Sequence, residues 1–456
     1  MTKPRQRTSI LATTIAASFG FGLVQLDVTI VNVALPTIAR TLDTTLAGLQ
    51  WVVDAYALVF AALLLTGGYL GDRYGAKPCY LAGIAFFALA SLACGMAASA
   101  LMLIAGRVLQ GVGAALMLPC SLALINHAAQ DQPRRRAQAI GWWTAAGGIM
   151  IAAGPIVGGL LLGVASWRAI FLVNLPVCAV GGLLALRVVE TRRLPKGHGV
   201  DIAGPWLAML ALGAVTGAMI EARPLGMASP VVLASAATGI LALLAFVRHE
   251  ARAASPMLPL SLFDSRTFRG ALLYGAIVNL TYYGAVFVLS VYLQRVLGYT
   301  PVTAGLAFLP LTATFLVVNV ISGWWVGARG SRAPMIVGAL IDACGFALLA
   351  LIAAAAAPYW KLAIAFVLIP AGMGLGVPAM TTAVLVSVEQ ERSGVASAVL
   401  NAARQAAGAM GVALFGALAG DTPAHIVSGL GRSAVIATAL LVAAALLAAR
   451  AMARSR

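Results

Sequence analysis

Gly68-Tyr69-Leu70-Gly71-Asp72-Arg73-Tyr74-Gly75-Ala76-Lys77 is a charged stretch wedged between two apolar runs, residues 50–70 and 79–98. Each run has the length of about 20 residues that a helix needs to cross a hydrocarbon core of about 30 Å. Glycine reaches backbone conformations closed to other residues, so Gly68, Gly71 and Gly75 suit a tight turn between two spans. Asp72 and Arg73 then stand at the membrane surface, where pairing with charges or helix ends would latch one conformation.

The same alternation of apolar run and charged break continues along the chain. Hydrophobic residues make up 61% of the sequence and charged residues 10%, against about half and a quarter in soluble proteins. A soluble fold of 456 residues would leave most of these runs exposed. The net charge of +16 raises nucleic acid as a partner. The basic residues, however, sit in short clusters between apolar runs with few aromatics among them, as in cytoplasmic loops of membrane proteins. No nucleic-acid partner is expected. Cys79, Cys94, Cys120, Cys178 and Cys344 show no CxxC spacing, so neither a disulfide framework nor a metal site is expected. Lys3, Arg5 and Arg7 precede an apolar stretch that carries Asp27 and runs past Ala34, which reads as a first span and not a cleaved signal.

Fourteen apolar segments follow one another: 10–36, 50–70, 79–98, 101–125, 137–163, 167–187, 202–220, 230–247, 269–293, 302–326, 334–355, 361–387, 393–419 and 432–450. With the N-terminus inside, 22 of the 30 basic residues fall in inside loops or tails. Only Arg40, Arg168, Arg223, Arg295, Lys361 and Arg432 fall outside. This bias places both termini in the cytoplasm. The longer polar connections 188–201 and 248–268 divide the chain into a six-helix bundle (1–187), a two-helix insert with its loops (188–268) and a second six-helix bundle (269–456). The halves should be internal repeats. Val108-Leu109…Gly113…Leu116…Pro119 in the fourth span matches Val367-Leu368…Gly372…Leu375…Pro378 in the twelfth, with Phe366 standing where the first half has Arg107.

Ionisable groups inside spans are costly and mark functional candidates. They are Asp27, Asp54, Arg107, Asp342 and Arg404. At about 1.5 Å per residue, Asp27 lies roughly 13 Å below the outer end of the first span, and Arg107 roughly 9 Å below that of the fourth. An ion pair or a shared water cavity follows if these helices are neighbours; a charge pair that only locks the bundle is the alternative. Asp54, a turn inside the second span, suits a solvated vestibule. Asp342 reads equally as a packing carboxylate. Arg404 in Asn401-Ala-Ala-Arg404-Gln405 is either a hydrogen-bond hub or a substrate contact, and Asn279, Tyr282 and Tyr283 line a cavity or form a polar-aromatic stripe.

Chemistry and energy source are bounded too. His127, His198, His249 and His425 belong to no clustered catalytic set, so an enzyme is not expected. No lysine stands in GxxxxGK[ST], so transport would draw on a gradient or on another subunit. No cofactor is implied.

The stretch from Gly68 to Lys77 resembles the loop between the second and third helices of the major facilitator superfamily. Four further segments are similar to its fourteen-helix drug:proton antiporters: Leu26-Asp27-Val-Thr29-Ile-Val-Asn32-Val-Ala-Leu-Pro36, Arg107-Val-Leu-Gln110-Gly111-Val-Gly113, Gly148…Gly154-Pro155…Gly158-Gly159 and Trp167-Arg168-Ala-Ile-Phe171-Leu-Val-Asn174-Leu-Pro176. The resemblance implies an all-α polytopic membrane protein with two six-helix bundles plus two inserted helices, located in the inner membrane and expected to be monomeric. It implies alternating-access export of small hydrophobic or cationic drugs against protons. Asp27 and Arg107 would couple the proton, with Asp27, Asp54, Asn279, Tyr282, Tyr283 and Arg404 around the substrate. Gly68, Gly71, Asp72, Arg73, Gly75, Gly154, Pro155 and Gly158 would gate the two states. Gly154 and Gly158 form a small-residue face for close helix approach. The second-half copy of the loop, Gly327-Ala328-Arg329-Gly330-Ser331-Arg332, lacks the acid. A dedicated exporter of one metabolite or antibiotic, an importing symporter and a non-transporting sensor remain as rival readings.

Overall fold

A backbone in hydrocarbon must satisfy its own hydrogen bonds, and a long apolar segment does so as a helix. The computed structural model describes residues 10–129, 132–188, 201, 203–253, 256–353, 358–389 and 392–451. Lys3, Arg5, Arg7, Arg192, Arg193, Lys196, His198, Arg454 and Arg456, and most of the 188–201 connection, lie outside the described residues. Among the described residues, fourteen helices are long and apolar enough to cross a membrane, one for each expected span. They are α1 (Ile10–Thr41), α2 (Leu46–Tyr74), α3 (Ala76–Gly95), α4 (Ala100–Ala128), α5 (Gln138–Val164), α6 (Ala169–Leu186) and α7 (Ala203–Leu225). Then follow α8 (Pro230–Glu250), α9 (Arg266–Arg295), α10 (Pro301–Arg329), α11 (Arg332–Ile352), α12 (Tyr359–Val386), α13 (Ser393–Ala419) and α14 (Pro423–Ala451). Among the described residues there is no strand.

Two boundaries moved for identifiable reasons. Pro36 was expected to end the first span, yet α1 continues to Thr41. A proline lacks the N–H that would bond the carbonyl four residues back; here that carbonyl, Asn32 O, accepts a hydrogen bond of 2.6 Å from Ser290 Oγ of α9 instead. α14 starts nine residues earlier than expected, with Pro423 as its first residue and Thr422 Oγ1 accepting from His425 N at 3.3 Å. Arg432 therefore lies within the helix and not in a loop.

The halves repeat. α1 packs on α4, α5 and α6; α2 packs on α4; α3 packs on α4 and α6. Raising every helix number by eight reproduces the set: α9 on α12, α13 and α14, α10 on α12, and α11 on α12 and α14. Between halves, α2 meets α13, α5 meets α10 and α1 meets α9. α7 lies along α2 and α13, with α8 against α7. Asp201 ties this pair together at the Arg-rich end of the bundle, hereafter the basic end. Its Oδ1 accepts from Gly204 N (3.0 Å) and meets His249 Nε2 (2.9 Å). Burial would raise the Asp201 pKa, but these hydrogen bonds hold it below the ordinary value.

The hydrogen bonds that join the halves gather toward the opposite end. Gln50 Nε2 donates to Val412 O (3.0 Å) and Ala413 O (2.7 Å), Leu46 N to Asp421 Oδ1 (3.2 Å) and Gln294 Nε2 to Val33 O (2.9 Å). α7 bridges the same end. Trp51 Nε1 donates to Glu221 Oε1 (3.2 Å), and Arg223 Nη1 donates to Ala417 O (3.0 Å).

Candidate functional site

Asp27 and Arg107 meet. Asp27 is fully buried on α1 and Arg107 is 1% exposed on α4, and Arg107 Nη1 donates to Asp27 Oδ2. Gln110, one helical turn beyond Arg107, donates Nε2 to Asp27 Oδ1 (3.1 Å) and accepts from Arg107 Nη1 at Oε1 (2.8 Å). Asn174 of α6 donates Nδ2 to the same Oδ1 (3.2 Å). Ser91 Oγ of α3 accepts from Gln110 (2.8 Å) and Asn174 (3.3 Å). Arg107 Nε donates to Val52 O of α2 (3.0 Å), and its guanidinium lies 4.4 Å from the centre of the Tyr56 ring. Five helices of the first half thus contribute to one carboxylate–guanidinium pair. Pro176 helps to place Asn174: without an N–H to return to Leu172, it breaks α6 at Val173.

A narrow cavity lies beside this network, between the halves, lined by Val28, Asp54, Tyr56, Arg107, Tyr283 and Gln405 among others. Arg107 therefore faces both ways, toward Asp27 and toward the cavity. Asp27, expected on the cavity wall, lies behind it, because the polar groups of α3, α4 and α6 hold its carboxylate within the first half. Asp54, expected near the surface, is fully buried, since α2 begins at Leu46 and sets it two turns deep. Neither of its oxygens has a hydrogen-bond partner among the described residues.

A second narrow cavity is lined by Thr29, Asn32, Pro155, Tyr282, Tyr283 and Thr312 among others. Tyr283 borders both spaces. Asn279 and Arg404 line neither; they bond each other, Arg404 Nε donating to Asn279 Oδ1 at 3.4 Å. The neighbouring Gln405 takes the wall position.

The gating glycines divide by task. Gly68 and Gly71 were expected in a turn, but α2 runs through them to Tyr74. A Cβ on Gly71 would come within 2.7 Å of Cys120 Sγ, so this glycine sets the approach of α2 to α4. Only Gly75 turns the chain, at φ 102°, a conformation that side chains resist. Lys77 closes the turn by donating to Leu186 O (2.8 Å) and Val188 O (2.7 Å) at the end of α6. Asp72 is exposed, and Arg73 Nη1 donates to Tyr69 Oη of its own helix at 3.2 Å. On α5, Gly154 and Gly158 press against Thr29 and Ile30 of α1, while Gly159 meets Pro301 and Val302 of α10. Gly305 of α10 sits over the Pro155 carbonyl.

Gln110 and Asn174 stood inside recognisable sequence segments but were not singled out as ligands of Asp27. Ser91 carried no signal, being one serine in an apolar span.

A sequence model described as the Major Facilitator Superfamily matches residues 17–412. The chain belongs to that superfamily. Among its relatives, the methylenomycin A resistance protein of Bacillus subtilis (strain 168) is 38% identical over 405 residues, covering 89% of this chain and 86% of the relative. The tetracenomycin C resistance and export protein of Streptomyces glaucescens is 35% identical over 416 residues, covering 89% and 75%. A crystal structure of a D-xylose–proton symporter superposes with a TM-score of 0.71 at 16% identity, covering 98% of this chain and 99% of that one, and shows the shared fold. This major facilitator protein is a multi-pass membrane transporter, and small molecules are its cargo.

Proposed function

We propose that this chain is a proton-coupled antiporter exporting small, largely hydrophobic molecules across the bacterial inner membrane by alternating access. The carrying observation is the Asp27–Arg107 pair, sealed inside the first half with Arg107 on the wall of an inter-bundle cavity. A buried ion pair is weak evidence for stability, because desolvation offsets most of its attraction; a role in function explains its presence better. Desolvation favours the neutral carboxyl and an adjacent guanidinium favours the ionised one. A proton arriving at Asp27 would loosen Arg107, which is tied to Val52 of α2, a helix of the seam between halves. Proton binding is thereby linked to the seam.

The moving units are residues 1–187 and 269–456, with 188–268 as the insert. The start of α1 and the end of α14 lie at the basic end, which on this reading faces the cytoplasm, and the monomer suffices. In this structure the ties between halves lie at the opposite end, so we read it as closed toward the outside. Asp72 and Arg73 engage the second bundle when the basic end shuts, and the α5 seam at Gly154, Pro155 and Gly158 rocks against α1 and α10. Cysteines at Ser331 and Thr422 should then divide, with only the second labelled by an impermeant thiol reagent in intact cells.

The test is export of a drug panel from an efflux-deficient host, then transport in proteoliposomes under an imposed pH gradient. Gradient-driven uptake into inside-out vesicles, lost in Asp27→Asn at normal protein level, is the expected outcome. Full coupled transport by folded Asp27→Asn would remove the assignment. Relatives named for single antibiotics favour a second reading, a dedicated exporter of one compound, which a panel response confined to one scaffold would select.

A further inference from the structure

We propose that Arg404 recognises an oxyanion on the exported molecule (a carboxylate or an ionised phenol or enol), so that hydrophobic acids are preferred cargo. The proposal rests on the efflux reading and adds the substrate class.

Arg404 lies 11 residues from one end of α13 and 15 from the other, roughly 16 and 22 Å at the helical rise. A guanidinium at that depth needs acceptors. The protein's other mid-span arginine has them: Arg107 is matched by Asp27, Gln110 Oε1 and Val52 O. Arg404 has one, a 3.4 Å bond from Nε to the neutral Asn279 amide, and no ion pair with a carboxylate among the described residues. A guanidinium carries five donors, so four are left to be met by something else. The residue is partly buried, and no further partner for these donors is found among the described residues.

Arg404 stands next to the cavity wall. Residues four apart share a helix face, and Gly408 and Val412, one and two turns beyond Arg404, both line the first cavity together with Gln405. Arg404 thus stands one turn below this wall toward the basic end, the end away from the gathered inter-bundle hydrogen bonds. A molecule entering from that end meets this cation first. Asp27, the group a cationic drug would seek, is enclosed behind Arg107 and fully engaged. Asp54 is the acid on the cavity wall, and its oxygens, without a partner among the described residues, suit a hydroxyl or amide donor at the far end of the same molecule.

The experiment measures binding of 4-(1-pyrenyl)butyrate and its primary amide, matched in shape and differing in charge, to purified protein in nanodiscs at neutral pH. The wild type should bind the carboxylate at least tenfold more tightly than the amide. Arg404→Gln should remove that advantage, and Arg404→Lys should keep part of it, holding the charge but losing the planar fork. Asn279→Ala, which frees the guanidinium from its one partner, should weaken the preference less than Arg404→Gln. Equal binding of the two probes by the wild type, tighter binding of the amide, or a preference undiminished in Arg404→Gln overturns the proposal. Should the glutamine variant fail to fold, the wild-type pair and the lysine variant still decide. A protein that prefers the carboxylate but moves neither probe in pH-driven vesicles leaves the recognition group standing and removes the efflux reading instead.

Discussion

The α3–α4 crossing of the first half and the α11–α12 crossing of the second share a backbone and differ in chemistry. In the first, Gly83 and Gly113 face each other, each a Cβ's 3.0 Å from the other's carbonyl. In the second, Gly338 and Gly372 take those places, with the Gly372 carbonyl 2.6 Å from a Cβ on Gly338. Four residues beyond the first glycine of each pair stand Phe87 and Asp342; six before the second stand Arg107 and Phe366. Arg107 enters a polar network, whereas Phe366 stacks on Phe308 with ring centres 5.6 Å apart. Asp342 is buried with both oxygens partnerless among the described residues. Close packing thus repeats where glycine allows it, while the charges on that scaffold are placed independently. In the proposed mechanism the first half carries the proton chemistry.

The comparison breaks most visibly through transport. Asp27→Asn and Arg107→Ala should each lower pH-driven transport in proteoliposomes by about a hundredfold or more, about 2.8 kcal/mol at about 1.4 kcal/mol per decade. Phe366→Leu should leave coupling intact and cost under about 1.5 kcal/mol of stability. Equal transport losses from Phe366→Leu and Arg107→Ala would place coupling in both halves.

Steric substitutions should instead hit both halves. Gly113→Ala and Gly372→Ala each overpack a helix crossing, at about 1–3 kcal/mol. Thermal unfolding in detergent should rank Gly372→Ala as the worse, because its Cβ would meet the Gly338 carbonyl and Asp342 at shorter range than the 2.9–3.0 Å that a Cβ on Gly113 would keep from Phe87 and the Gly83 carbonyl.

The loop copies sharpen the asymmetry. Asp72→Asn should reduce transport several-fold at normal protein level. Gly327→Asp, which places an acid in the second copy where a Cβ meets nothing within 4 Å, should leave transport unchanged. A gain from Gly327→Asp in the Asp72→Asn background would show that either copy can latch.

The smallest effect should be symmetric. Lys77 caps α6, and Arg332 Nη2 donates to Ala449 O of α14 at 2.7 Å. Losing a cation at a helix C-terminus costs about 0.3–1 kcal/mol, so Lys77→Met and Arg332→Met should lower thermal stability alike. A larger loss for one would make its loop more than a cap.

Fourteen spans, their order and a basic end were legible in the sequence because each follows from local quantities, the length of an apolar run and the sign of the break after it. The repeat was legible in the fourth and twelfth spans, from Val108 to Pro119 and from Val367 to Pro378, and its glycines Gly113 and Gly372 stand where contact leaves no room for a side chain. The turn was misread at Gly68 and Gly71, since a glycine required for helix approach and one required for a bend look the same in sequence; only Gly75, at φ 102°, bends the chain.

What the sequence determined by itself was which residues resist the membrane: Asp27, Asp54, Arg107, Asp342 and Arg404. Tertiary structure decided their partners. Asp27 and Arg107, 80 residues apart, are joined because α1 and α4 are neighbours with those faces turned together. Gln110, Asn174 and Ser91 complete that site from three helices, while among the described residues Asp54 and Asp342 find no donor and Arg404 finds one neutral acceptor. Depth in a membrane follows from counting residues along one helix, but the meeting of two side chains depends on how separate helices rotate and pack, and that information is spread over the whole fold.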